Sequence, residues 1–187
     1  LVPETIRFNL TGKLREGVYA RDLILTIIGK IGAAGASYMA MEFVGDGMKN
    51  LTMDDRISMC NLCVEAGAKT ALMEVDDIAL DYLHARGREP KHCFKSDEDA
   101  VFAAEYDIDL ATIEPIVARP DFVDDVIPAK EALGVKIDEA FLGSCNNGRL
   151  SDLRVGADLI RGRKVHPLVR FLVVPASNEV YEAAIKE

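Results

Sequence analysis

Residues 143–149 read Gly-Ser-Cys-Asn-Asn-Gly-Arg, the run with the most chemistry per residue in the sequence. The thiol of Cys145 stands among small residues that let a bulky group approach the backbone. A strand pattern precedes the run and a helical pattern follows it. That is where open α/β sheets gather ligands, beyond a strand's carboxyl end. Amides opening the next helix can donate to a thiolate, a sulfide or a carboxylate, and the helix dipole favours negative charge there. The same residues also suit a structural cysteine in a tight turn, and by themselves they leave both readings open.

A second constellation lies in residues 53–68. Asn61 and Glu65 are four apart, which puts both on one face of a predicted helix. They continue a polar stripe begun by Asp54 and Ser58, beside an apolar stripe of Met53, Ile57, Cys60 and Val64. Taken alone, the polar stripe reads first as a solvated helix face. Cys60 and Cys63 form a C-x-x-C, a spacing used by zinc sites and redox pairs. Both fall inside the helix rather than at its start, so packing is their expected role. Cys93, beside His92 in a polar stretch, is expected to be a surface thiol without a role. His84, His92 and His166 show no helical ligand spacing, which disfavours a histidine-rich zinc centre.

These residues need elements to hold them. Thr5–Leu10 alternates as a strand with one wetter face, and Ala20–Ile31 is a helix ended by Gly32 and Gly35. Tyr38–Val44 reads as a strand closed by Gly45-Asp46-Gly47. Thr52 and Asp55 form a capping box that starts the next helix, and Gly67 stops it. A short strand, Thr70–Val75, and a helix, Asp77–Arg86, follow. Gly87–Lys95 is loop, and Ile108–Val117 is extended but interrupted by Pro115. Further on come a strand at Asp138–Leu142, a helical stripe of Leu150, Leu153, Ala157 and Ile160, and an apolar run at Leu168–Val174. That run suits a strand covered on both faces. Ser177 caps a final helix. The class is α/β, with a mostly parallel sheet and right-handed crossovers. The Pro-bearing stretch divides it into two units, 1–115 and 116–187.

Composition narrows the partners. An apolar fraction of 49% supports a proper core, and a net charge of −9 argues against nucleic acid or an anionic membrane as the main partner. No apolar run approaches a membrane span and no signal-peptide pattern opens the chain, so the cytoplasm is the expected address. No G-x-G-x-x-G or Walker loop is present, which ranks a nucleotide-binding domain last. The sequence opens on Leu1 and closes in a helical pattern, so it is expected to be an internal piece of something longer.

Residues 141–154, Phe-Leu-Gly-Ser-Cys-Asn-Asn-Gly-Arg-Leu-Ser-Asp-Leu-Arg, resemble the G-S-C-T-N-G-R-x-x-D-L-R segment of isopropylmalate dehydratase large subunits in the aconitase superfamily. Asn146 stands where the family has Thr. Residues 53–68 are similar to the family helix M-x-x-R-x-x-x-x-N-x-x-x-E-x-G-A, and residues 10–14 and 174–177 resemble family segments in the same order. The resemblance implies three-layer α/β/α units of an aconitase-type iron–sulfur domain. It makes Cys145 the first of three ligands to a [4Fe–4S] cluster and Asn61 and Glu65 active-site residues. The other two ligands would come from a C-x-x-C outside this chain.

The implied activity is a hydro-lyase that isomerises 2-isopropylmalate to 3-isopropylmalate by dehydration and rehydration, in leucine biosynthesis. A small swivelling subunit is the implied partner. Homoaconitase is the close alternative and aconitase the next, with a di- or tricarboxylic hydroxy acid as substrate in each case. An aconitase-like, iron-sensing RNA-binding protein is the alternative from another class, disfavoured by the acidic balance. The 187-residue chain alone is expected to hold no intact cluster and to be inactive.

Overall fold

The computed structural model describes residues 2–187. Two compact units emerge, Leu1–Glu131 and Ala132–Glu187.

The first unit is built on a four-stranded, wholly parallel sheet. Its strands are β1 (Thr5–Thr11), β2 (Ala40–Val44), β3 (Thr70–Met73) and β4 (Ala104–Asp109), in the order β3-β2-β1-β4. The helices between them are α1 (Ala20–Ile31), α2 (Met53–Leu62) and α3 (Asp77–His84). Alternation in β1 works as expected: Ile6, Phe8 and Leu10 are buried and the residues between them are wetter. Phe8 packs between Phe43 and Tyr106, with ring centroids 5.3 and 5.4 Å away. Burying such a ring is worth about 1.5–3 kcal/mol. Helix α1 supplies the facing layer through Leu23, Ile24, Ile27 and Ile28, all fully buried.

The other face of this sheet is polar. Arg7 pairs with Glu105, the Asn9 amide donates to Asp107 at 2.8 Å, and the Ser96 hydroxyl donates to Glu42 at 2.7 Å. The strand expected from Tyr38 begins only at Ala40, because Tyr38 takes a positive φ of 62°. The extended stretch expected over 108–117 resolves into β4, a 3-10 turn at Leu110–Thr112, and β5 (Ile116–Ala118). Strand β5 pairs antiparallel with β6 (Val126–Pro128), and both pack on α1. This hairpin carries the first compact unit past residue 115 to Glu131.

The second unit contains β7 (Glu139–Gly143), the single helical turn α4 (Ser144–Asn147), α5 (Leu150–Ile160), β8 (Arg170–Val174) and α6 (Asn178–Lys186). Strands β7 and β8 run parallel, joined through α5, and Ser177 caps α6 by accepting the Val180 N–H at 3.2 Å. The expectation of a strand buried on both faces fails for β8. Val173 and Val174 are 48% and 42% exposed, because β7 is the sole strand paired with β8 among the described residues. An apolar run records what a strand can bury, not what this chain provides to bury it.

Candidate functional site

Helix α2 begins as its sequence requires. The Thr52 hydroxyl accepts the Asp55 N–H at 3.2 Å and the Asp55 carboxylate accepts the Thr52 N–H at 2.9 Å, closing the capping box. Its far end differs from a single helix running to Gly67. The α-helix stops at Leu62 and tightens into a 3-10 turn over Cys63–Ala66, ended by Gly67 in the left-handed region at φ 82°. Asn61 therefore lies in the last α-helical turn and Glu65 in the 3-10 turn. The tighter winding, three residues per turn, swings Glu65 further round from Asn61 than a continuous α-helix would. Both side chains are exposed.

The face of α2 that meets the core is not the expected one. Met59, Leu62, Cys63 and Ala66 are buried, whereas Val64 is 65% exposed and Met53, Ile57 and Cys60 are half-buried. Ser58, placed on the polar stripe by spacing, is also buried. The helix carries two apolar stripes, and spacing alone cannot rank them. The one with small Cys63 and Ala66 approaches α1, and the other borders a groove of about 610 Å3 that also takes in Asn61, Ala71 and Met73.

Arg56 is the arginine of the family-like helix motif, and the sequence alone assigned it no role. Only 3% exposed, it forms a two-pronged ion pair with Asp76, Nη1 to Oδ1 at 2.7 Å and Nη2 to Oδ2 at 2.6 Å, and Nη2 also donates to the Met48 carbonyl at 2.8 Å. The Arg56 hydrogen bond holds the Asp76 carboxyl below the usual carboxylate range. With a lowered folded-state pKa, the pair's contribution is present at neutral pH. It is lost as pH falls through that lowered value. The available signal was an arginine at a position where a helix turns inward.

The cysteines sort by burial. Cys63 is 1% exposed and donates to the Met59 carbonyl at 3.3 Å. Burial pushes the Cys60 thiol up to about 11, and burial together with the neighbouring Cys60 pushes Cys63 up as well. Thiols that stay protonated make poor metal ligands and poor nucleophiles. Of the C-x-x-C, Cys63 packs in the core and Cys60 lines the groove. Cys93 and Cys145 are exposed, and none of the four cysteines forms a disulfide. At about pH 8, an alkylating reagent is expected to modify native Cys93 and to spare Cys60 and Cys63. Site-resolved mass spectrometry checks this, and modification of Cys63 as fast as Cys93 would refute it.

Cys145 occupies the single turn α4, directly after β7. Two backbone features hold this turn. Gly143 sits at φ 131° and pairs in register with Val174, and the Ala176 N–H donates to the Gly148 carbonyl at 2.8 Å. Asn146 is buried, and the Asp152 carboxylate accepts the Arg149 N–H at 3.0 Å to start α5. The segment 174–177 is thus the clamp on the cysteine turn. Asn61 and Glu65 belong to the first unit and Cys145 to the second.

The parallel sheet with its connecting helices is an α/β scaffold, and the family comparison agrees with that class. The model of the aconitase family (aconitate hydratase) matches residues 1–134 and 128–187, and the chain belongs to that family. Over its whole length it is 49% identical to the probable 3-isopropylmalate dehydratase large subunit of Methanothermobacter thermautotrophicus and 47% identical to the 3-isopropylmalate dehydratase large subunit of Thermodesulfovibrio yellowstonii. It is 45% identical to the probable methanogen homoaconitase large subunit of the former organism. The chain spans 44% of the length of each of these relatives.

The family implies a [4Fe–4S] cluster, and the donor set fits it in part. One exposed thiol at a ligand-gathering turn suits one iron. Half-buried Cys60 and buried Cys63, whose thiols burial pushes up, do not, and no group of three potential ligands occurs among the described residues. No helix among the described residues is long and apolar enough to cross a membrane.

Proposed function

We propose that this chain is part of a hydro-lyase large subunit that converts 2-isopropylmalate to 3-isopropylmalate, a step of leucine biosynthesis. The observation that carries the reading is identity of 42–49% across the whole chain to proteins bearing that name. In the reaction a C–H and a C–O bond break, water departs and a double bond forms. Water then adds back with its hydroxyl on the adjacent carbon.

Cys145 is proposed as one thiolate ligand of the cluster, with the remaining ligands and a small partner subunit supplied from outside this chain. When bound, the cluster supplies a Lewis acid for the substrate's hydroxyl and carboxylate. The chain's own share is modest in parts and exacting in placement. Glu65 can take up and return a proton at its carboxylate, and the Asn61 amide can both donate and accept to orient the water that leaves and returns. Asn61 and Glu65 lie in the first unit, Leu1–Glu131, and Cys145 lies in the second.

The test is turnover by the full-length parent protein with its small subunit, on 2-isopropylmalate and homocitrate in parallel. Turnover of 2-isopropylmalate, lost in Cys145→Ser, is the expected result. Turnover of homocitrate alone would instead make it a homoaconitase, the reading favoured by its 45% identity to such a subunit.

A further inference from the structure

We infer that Arg56 is a positioning residue, whose half-buried ion pair with Asp76 fixes the pitch of α2 and thereby the places of Asn61 and Glu65. The inference rests on the reading of those two as active-site residues. Arg56 lies near the start of α2, and its guanidinium ties three segments together. It reaches the Met48 carbonyl in the turn after β2 and both carboxylate oxygens of Asp76 after β3. Asp76 in turn caps α3 by accepting the Ala79 N–H at 3.1 Å. One guanidinium therefore joins the helix of interest to the carboxyl ends of two neighbouring strands, the end of the sheet where ligands gather.

Stability alone is a weak reason for such a pair, since an apolar residue of similar volume often stabilises as well as a buried ion pair does. What a fork-on-fork pair adds is direction. On its groove side α2 has little else to hold it, because Met53, Ile57 and Cys60 there are only half-buried and Asn61 and Glu65 are exposed. Packing fixes one side of the helix and the ion pair fixes its rotation.

Two variants separate the pair from its surroundings. Asp76→Asn removes the charge yet keeps a good cap for α3. Arg56→Lys keeps the charge but loses the fork. In the 187-residue chain, both are expected to raise alkylation of Cys60 about 10-fold relative to Cys93 as α2 loosens, with unchanged helical content by circular dichroism. In the full-length parent with its small subunit, Arg56→Lys is expected to lower kcat about 100-fold, the scale of a small misplacement. In an Asn61→Ala background it is expected to cost little more, because residues acting as one unit are not additive.

Unchanged Cys60 labelling in both variants overturns the inference while leaving the hydro-lyase reading intact. So does an equal kcat penalty in the two backgrounds, which would mark a structural role only. A wild-type parent without turnover sinks the hydro-lyase reading and this role with it, whatever the labelling shows.

Discussion

Gly143→Ala is expected to destabilise the β7–β8 unit by roughly 3–5 kcal/mol, enough to unfold a unit of this size. Two costs combine. At φ 131° and ψ −140° the backbone lies in a region that is essentially glycine's own. A Cβ built there would stand 2.0 Å from the Val174 carbonyl oxygen, its register partner across the sheet. Neither the carbonyl nor the strand can yield without opening the β7–β8 ladder. The consequence reaches Cys145, since the same glycine delivers the chain into the thiol-bearing turn. Hydrogen exchange should show lost protection at the amides of 140–142 and 171–173. Retained protection there would refute the account. Gly148→Ala escapes the dihedral cost at φ −106° but meets three backbone atoms at 2.7 Å, so a smaller loss of the same kind is expected.

Much of the first unit was legible in the sequence because its signals are local. The alternation of Ile6, Phe8 and Leu10, the Thr52–Asp55 capping box and the Leu- and Ile-rich helix 20–31 each depend on neighbours within a few residues. The parts that were not legible are those decided by distant partners. Helix α2 has two apolar stripes, and which one faces inward is settled by α1 and by the reach of Arg56 to Asp76, twenty residues on. The hairpin of β5 and β6 looked like a boundary because Pro115, Pro120 and Pro128 punctuate it. It belongs to the first unit because its strands find α1 to pack on.

The candidate site divides in the same way. Cys145 could be placed at a strand-to-helix turn from pattern alone, because glycines and small residues announce such a turn. That segment 174–177 clamps it, through Ala176 on Gly148 and Val174 beside Gly143, needed the fold. The i, i+4 spacing of Asn61 and Glu65 was equally plain. The 3-10 winding that separates their directions was not, because it follows from how Cys63 and Ala66 seat in the core.

Glu65→Gln is expected to lower kcat of the full-length parent on 2-isopropylmalate by about 100- to 10,000-fold, the usual worth of a positioned acid–base group. The variant is informative because the fold has almost no stake in it. Glu65 is exposed and forms no ion pair among the described residues, so stability should move by no more than about 0.5 kcal/mol. Glutamine keeps the length and one acceptor oxygen and removes only the charge and the titratable proton. A drop in kcat with little change in KM would therefore report proton handling rather than damage. Activity within twofold of wild type would return Glu65 to the role that its stripe alone implied, a solvated helix face. Asn61 would then carry the helix's share of the chemistry alone, and the case for Arg56 would rest on Asn61.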